Sequence, residues 1–204
     1  MSPRPIEFPV DGLSDGVVHL RLIAEADIPA IVDAVQDPEI PRWTRVPDPY
    51  SEEDGRHFHR MASTGREAGT DLATVIVDAD DGHLLGTIAL HNIDPENGRC
   101  AGGYWIAAPE RRRGVARRAL ALLCRYAFEE LEVQRIELWI DPTNTASLRV
   151  AQVAGFHREG LLRSFMPIRG ERRDMLMYSL LPGELRRSTE LPTHSTSTLD
   201  LPYR

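Results

Sequence analysis

Five arginines crowd into one short stretch of the sequence, Arg111, Arg112, Arg113, Arg117 and Arg118, with Gly114 among them. The stretch leads from an apolar run, Gly103-Tyr104-Trp105-Ile106-Ala107, into a helical pattern that opens at Val115. A basic turn between a strand and a helix is built to bind an anion. The first N–H groups of a helix have no partner within it and lie at the positive end of its dipole. A diphosphate satisfies both conditions at once. Gly114 lets the backbone approach such a group without a Cβ in the way, and the small Ala116 keeps the approach open. A Walker loop is excluded, because it needs a lysine and all 24 basic residues are arginine. A dinucleotide fingerprint is excluded too, since it needs three spaced glycines in an early βαβ unit. The alternative is a solvated charge run beside an ordinary turn glycine.

A second group of polar residues follows about thirty positions on, in Glu137-Leu138-Trp139-Ile140-Asp141-Pro142-Thr143-Asn144-Thr145-Ala146-Ser147. Glu137 and Asp141 stand at even spacing on a strand and so share a face, where either can take a proton or hold a water. Asn144 and Ser147 open a short helix, and each has a plain structural use there as a cap or a satisfied hydroxyl. His91 and Asp94, at the end of an earlier strand, are weaker choices. Cys100 and Cys124 form no CxxC pair and read as small core residues.

The elements that must hold these residues are legible in the periodicity. Val17 to Leu22 is a strand, and Ala24 to Gln36 has apolar residues at Ile28, Ile31, Val32 and Val35, the spacing of an amphipathic helix. Proline-rich Pro41 to Tyr50 reads as a loop, and Ser51 caps a helix reaching about Gly65. Three β-rich runs follow, Leu72–Asp78, Leu84–Ile93 and Cys100–Ile106, separated by hairpin signals at Asp80-Asp81-Gly82 and Pro95-Glu96-Asn97-Gly98. A helix from Val115 to Leu131, a strand from Arg135 to Ile140, a short helix from Ala146 to Ala154 and a hairpin of Gly160–Ile168 with Arg173–Leu181 complete the order. This is an α/β layout with a mixed, mostly antiparallel sheet and helices on its faces. Residues 1–16 read as a flexible leader, 17–182 as the domain and 183–204 as a flexible tail rich in Ser, Thr and Pro.

With 204 residues, 42% hydrophobic and 27% charged, the chain is long enough for one well-buried core without metal or disulfide support. Its formal net charge of −7 argues against a nucleic-acid partner. No apolar run has the length of a membrane span, and none opens the chain like a signal peptide. A cytoplasmic protein without membrane contact is the expectation.

Taken together, the two motif groups resemble the GNAT (Gcn5-related N-acetyltransferase) superfamily, from about residue 17 to 182. Arg111-x-x-Gly114-x-Ala116 matches its acyl-CoA diphosphate loop. The RimJ/RimL branch, named for ribosomal-protein N-terminal acetyltransferases, is the closer likeness. Asp37-Pro38-Glu39, Gly103-Tyr104-Trp105-Ile106, Tyr126-Ala127-Phe128, Asn144-x-x-Ser147, Gly155-Phe156 and Arg173-Asp174 carry it. The resemblance implies two central strands that splay apart, with the pantetheine arm of acetyl-CoA, or another short acyl-CoA, lying between them. It implies that Ile106 and Ala107 offer backbone groups to the arm, that Arg111, Arg112, Arg113, Gly114, Val115, Ala116 and Arg117 hold the diphosphate, and that Asn144 and Ser147 close from the other side.

The implied reaction is direct attack of a primary amine on the thioester, the amine belonging to a peptide N-terminus or a small molecule. Ser147 is then the acid near the sulfur, and Glu137 or Asp141 the base. Ile106 or Ala107 supplies the N–H for the developing oxyanion. Trp43, Tyr50 and His57 form one wall of the acceptor pocket. Many relatives carry a glutamate just before Gly-Tyr-Trp and a tyrosine where this chain has Ala151. Here Ala101 and Gly102 precede that motif. A catalytically weak acyl-CoA sensor or assembly domain is therefore the alternative to an enzyme. A homodimer is also expected from the relatives, and no metal is.

Overall fold

The computed structural model describes residues 4–186. Its strands are β1 (Leu13–Ser14), β2 (Val18–Leu22), β3 (Leu72–Asp78), β4 (Leu84–Asp94), β5 (Arg99–Ile106), β6 (Arg135–Ile140), β7 (His157–Ile168) and β8 (Glu171–Leu180). They form one eight-stranded sheet in the order β1-β2-β3-β4-β5-β6-β8-β7. Only β5 and β6 run parallel; every other neighbouring pair is antiparallel. The helices are α1 (Ile28–Val35), α2 (Glu39–Trp43), α3 (Glu52–Ala68), α4 (Val115–Glu129) and α5 (Thr145–Ala154). The mixed sheet with helices on both faces is the architecture that the sequence leads one to expect.

Each face of the sheet has its own core. Leu20, Ile76, Ile88 and Leu90 pack with Leu120, Leu123 and Ala151 of α4 and α5. Val75, Val77 and Ala89 pack with Ile31 and Val35 of α1 on the opposite face. The alternation of strand side chains sends consecutive residues to opposite cores. That is why β3 is buried without a break from Leu72 to Val77.

The parallel ladder between β5 and β6 is short. It runs from Arg99 opposite Arg135 to Gly102 opposite Leu138 and stops. Beyond that rung β5 stays with β4 as far as Ile106, and β6 stays with β8 as far as Ile140. The two central strands therefore diverge, as the resemblance implies, and their facing edges are left without each other.

Three local expectations change. The proposed leader is packed where it is described. Ile6 is buried, its N–H donates to Arg66 O (2.9 Å), and Phe8 meets Tyr126 edge-on at 5.3 Å. The Tyr126 hydroxyl also donates to Glu7 O (2.6 Å). The loop read from Pro41 begins inside a helix, because Pro38 and Pro41 occupy the start of α2, where an amide hydrogen is dispensable. Helix α1 starts only at Ile28, after a 3-10 turn at Glu25–Asp27, with Pro29 in its first turn. Of the tail, Arg186 N–H still donates to Ala154 O (3.1 Å); residues 187–204 lie outside the described part. No described helix is long and apolar enough to cross a membrane.

Candidate active site

Gly114 sits immediately before α4 with φ of 81°, a left-handed conformation that glycine adopts without strain. A Cβ placed there would meet nothing within 4 Å, so the front of α4 opens to solvent. No side chain caps the helix. The amides of Val115, Ala116 and Arg117, its first turn, are thus presented at the positive dipole end. Arg112 also has positive φ, 64°, and faces the cleft between this turn and α5.

The arginines divide by what they touch. Arg111 pairs with Asp37, and its Nε donates to Ile106 O (3.1 Å). Arg113 pairs with Glu110, and Arg118 with Asp15 (2.7 Å). Among the described residues, Arg112 and Arg117 form no ion pair. Ala107 differs from its assigned role, since its N–H donates to Leu85 O (2.9 Å) and is consumed by the sheet. Antiparallel alternation turns the amides of Tyr104 and Ile106 the other way, toward the edge that β6 has left. The Ile106 amide thus faces the open edge, and the Ala107 amide does not.

Two cavities meet at the divergence. One, of about 400 Å3, lies between Ile106, Arg111, Arg112 and Ala116 on one side and Ala146, Ser147 and Val150 on the other. The second, of about 430 Å3, lies on the α1 and α3 face and is walled by Trp43, Tyr50, His57, Phe58, Trp105 and Trp139. Trp43, Thr44, Tyr104, Trp105, Asn144 and Ser147 border both. Trp43, Tyr50 and His57, the residues expected to form a wall, all line this cavity. Burial pushes the Tyr50 hydroxyl up to about 12, with Asp54 adding to the shift, so it stays protonated at neutral pH.

Asn144 caps α5: its Oδ1 accepts from Ser147 N–H (3.1 Å), which fixes both residues at the mouth of the cleft. Behind Ser147 is the buried hydroxyl of Tyr104, which has no hydrogen bond of good geometry. Burial raises it to about 12, and Ser147 is its polar neighbour, favouring the ionised form slightly. The Tyr104 hydroxyl is a site feature that the sequence motif did not reveal. Strand parity could have pointed to it, because Trp105 faces the second cavity and its neighbour must face α5.

The two proposed carboxylate bases are less free than their spacing implies. Glu137 accepts from Arg135 Nε (2.8 Å) and from Trp139 Nε1 (3.1 Å) and borders neither cavity. Asp141 does border the second cavity, but Oδ1 accepts from Thr143 N–H (2.8 Å) and its hydroxyl (2.6 Å), and Arg173 lies 3.5 Å from Oδ2. Two arginines of the last hairpin are likewise engaged: Arg169 donates to Pro41 O (3.0 Å) and Arg173 to Arg42 O (3.0 Å), tying α2 to the turn after β7 and to β8. Cys100 and Cys124 are buried, and desolvation raises Cys100 to about 12 and Cys124 upward, so neither is a ready thiolate.

A model of the acetyltransferase (GNAT) domain matches residues 18–157, from β2 to the start of β7. The chain is 30% identical over 166 residues to the uncharacterized N-acetyltransferase p20 of Bacillus licheniformis, covering 81% of this chain and 93% of that protein. It is 39% identical over 104 residues to YdaF of Bacillus subtilis, which carries the provisional name of ribosomal N-acetyltransferase, covering 51% of this chain and 57% of that one. Among solved structures, Mycobacterium smegmatis RimJ in complex with CoA-disulfide superposes with a TM-score of 0.77 at 25% identity, over 86% of this chain and 87% of that one. The match takes in the divergent strands, the basic turn and the Asn144 cap together, and the chain belongs to the GNAT family of acetyltransferases.

Proposed function

We propose that this protein transfers an acetyl group from acetyl-CoA, or another short acyl group from its CoA thioester, to a primary amine by direct attack in a ternary complex. The observation that carries the reading is the meeting of the two cavities at Tyr104, Asn144 and Ser147. One side offers a diphosphate the first turn of α4. The arm of a CoA thioester fits the divergence, where the Tyr104 and Ile106 edge of β5 can pair with its amides as a strand would. The other side is an aromatic chamber of a size that suits an amine-bearing side chain or a peptide N-terminus.

In this reading Val115, Ala116 and Arg117 bind the diphosphate through their amides, with Arg112 and Arg117 adding charge. Arg111 and Arg113 shape the turn. Ile106 N–H supports negative charge on the thioester oxygen. Asn144 aims Ser147, whose hydroxyl gives a proton at the sulfur. Holding both reactants in line contributes several kcal/mol, on the order of what effective molarities allow. The name of YdaF, a ribosomal N-acetyltransferase, supports a protein amine such as a peptide N-terminus as acceptor; a small amine is the second choice. A sensor that binds acyl-CoA without turnover is favoured by Ala101 and the buried Ala151, which bring no acid or base to the cleft. Purified protein with acetyl-CoA and a panel of peptide and small amines, followed by release of free thiol, decides between them. Turnover on at least one amine supports the enzyme; binding with no turnover on any amine supports the sensor.

A further inference from the structure

An ammonium acceptor must shed a proton before its nitrogen can attack, and the second cavity holds few groups able to take it. Asp141 is bound by Thr143 and faces Arg173. Asp54 is committed to the start of α3, where Oδ2 accepts from Ser51 N–H (2.8 Å) and its hydroxyl (2.5 Å). His57 borders the cavity too, but it is exposed, and among the described residues no hydrogen bond orients its ring. His91 differs from all of these. It lies on β4 with its side chain half-exposed to the cavity, and Nδ1–H donates to Asp71 Oδ1 (3.2 Å).

The setting of that pair is specific. An ionised carboxylate only accepts, so Asp71 places the proton of a neutral imidazole on Nδ1 and leaves the Nε2 lone pair free. Asp71 is itself held well below the usual carboxylate range, first by the His91 hydrogen bond, so it is ionised at neutral pH. Its backbone N–H donates to Gly65 O (3.3 Å), and a Cβ on Gly65 would come within 2.8 Å of the Asp71 Cβ, so the bare glycine lets the last turn of α3 pack against Asp71. Across the ladder His91 faces Ala101, and a Cβ at Gly103 would lie 3.6 Å from Nε2. Two nearly absent side chains thus clear the β5 surface in front of the imidazole. Gly103 is also the first residue of β5 past its last rung with β6.

We infer that His91, oriented by Asp71, is the general base that deprotonates the acceptor ammonium, directly or through one water. The inference rests on the acyl-transfer reading above. One N–H bond of the ammonium breaks as an N–H bond forms at Nε2, and the imidazolium then returns that proton to solvent. The second proton lost by the attacking nitrogen ends on the departing sulfur, which balances amide, free thiol and one released proton against ammonium and thioester.

The test uses the full chain, acetyl-CoA and the amine that gives most thiol release. His91→Gln should lower kcat/KM about 100-fold while leaving acetyl-CoA affinity within about twofold. In His91→Ala, added imidazole should restore turnover, a response that a structural role would not give. Asp71→Asn should lower turnover less than His91→Gln, and the double variant should be no worse than His91→Gln alone. His157→Gln, at a histidine that borders neither cavity, serves as the comparison and should stay near wild type. Turnover undiminished in His91→Gln, or no imidazole rescue of a folded His91→Ala, would overturn the dyad. Should His91→Ala fail to fold, His91→Gln and the double variant decide. Absence of turnover by the wild type on every amine would instead sink the acyl-transfer reading.

Discussion

Arg111 reaches back 74 positions in sequence to pair with Asp37, while its Nε holds the carbonyl of Ile106. The side chain that looks most available to a phosphate is spent inside the protein, clamping the basic turn between the end of β5 and the segment that leads into α2. In the reading proposed above, its role toward the donor is exerted through the shape of the turn.

Asp37→Asn tests that clamp. A partly exposed ion pair contributes about 1 kcal/mol or less, so acetyl-CoA affinity should fall by no more than about fivefold, with Gly114 and α4 intact. Calorimetry against Arg111→Ala checks this. A much larger loss in Arg111→Ala than in Asp37→Asn would mean that the guanidinium itself meets the phosphates.

Gly114 separates conformation from charge. The site has room for a side chain, so Gly114→Ala pays only for a left-handed backbone, about 1 to 2 kcal/mol. Gly114→Glu adds a negative charge at the helix front and should weaken acetyl-CoA binding by at least a further tenfold, roughly, at low salt. Equal affinities for the two variants would remove the diphosphate from this turn.

Ser147→Ala should cost about 100-fold in kcat and leave acetyl-CoA binding within about twofold, because Asn144 caps α5 through the Ser147 backbone and not its hydroxyl. Tyr104→Phe should lie between wild type and Ser147→Ala. Stopped-flow thiol release with saturating amine separates these effects from binding. A Ser147→Ala enzyme with unchanged kcat would leave the sulfur to be protonated by water.

Glu159 gives a stability signature far from the cleft. Its carboxylate receives Arg135 Nη1 (2.8 Å), Arg135 Nη2 (2.6 Å) and the Ser179 hydroxyl (2.7 Å), and the Arg135 bonds chiefly lower it from 4.5 to about 2. A carboxyl lowered on folding stabilises the fold above its unfolded value of 4.5, and that contribution is lost as the pH falls through about 2. The side chain is 43% exposed, so solvent screens much of it. Thermal melts from about pH 5 to about pH 3 should show a shallower decline in Glu159→Gln than in wild type. Parallel declines would mean that the pair does not carry the effect.

The residues explain which parts of this molecule could be read in advance. β3 and β6 fall at Leu72–Asp78 and Arg135–Ile140 because β-branched and apolar runs there end sharply at turn residues. The insertion of β8 between β6 and β7 leaves no local mark, since strand order is set by partners far away in the sequence. Proline hid α2, and the few apolar residues around Ile6 are interrupted by prolines, too little to signal burial. Even spacing put Glu137 and Asp141 on one face, but the same parity brings Arg135 and Trp139 onto Glu137. Ala107 is consumed because ladder parity, set by the register with β4, is invisible until the partner strand is known.

The rung joining Gly102 to Leu138 is where the protein's own hydrogen bonding gives out. From there the molecule is a wall with one plank missing, and in the reading proposed above each donor supplies the plank for a single cycle before carrying it off. Affinity and release are thus tied to the same few main-chain bonds, so tightening the fit to speed capture would slow departure in equal measure.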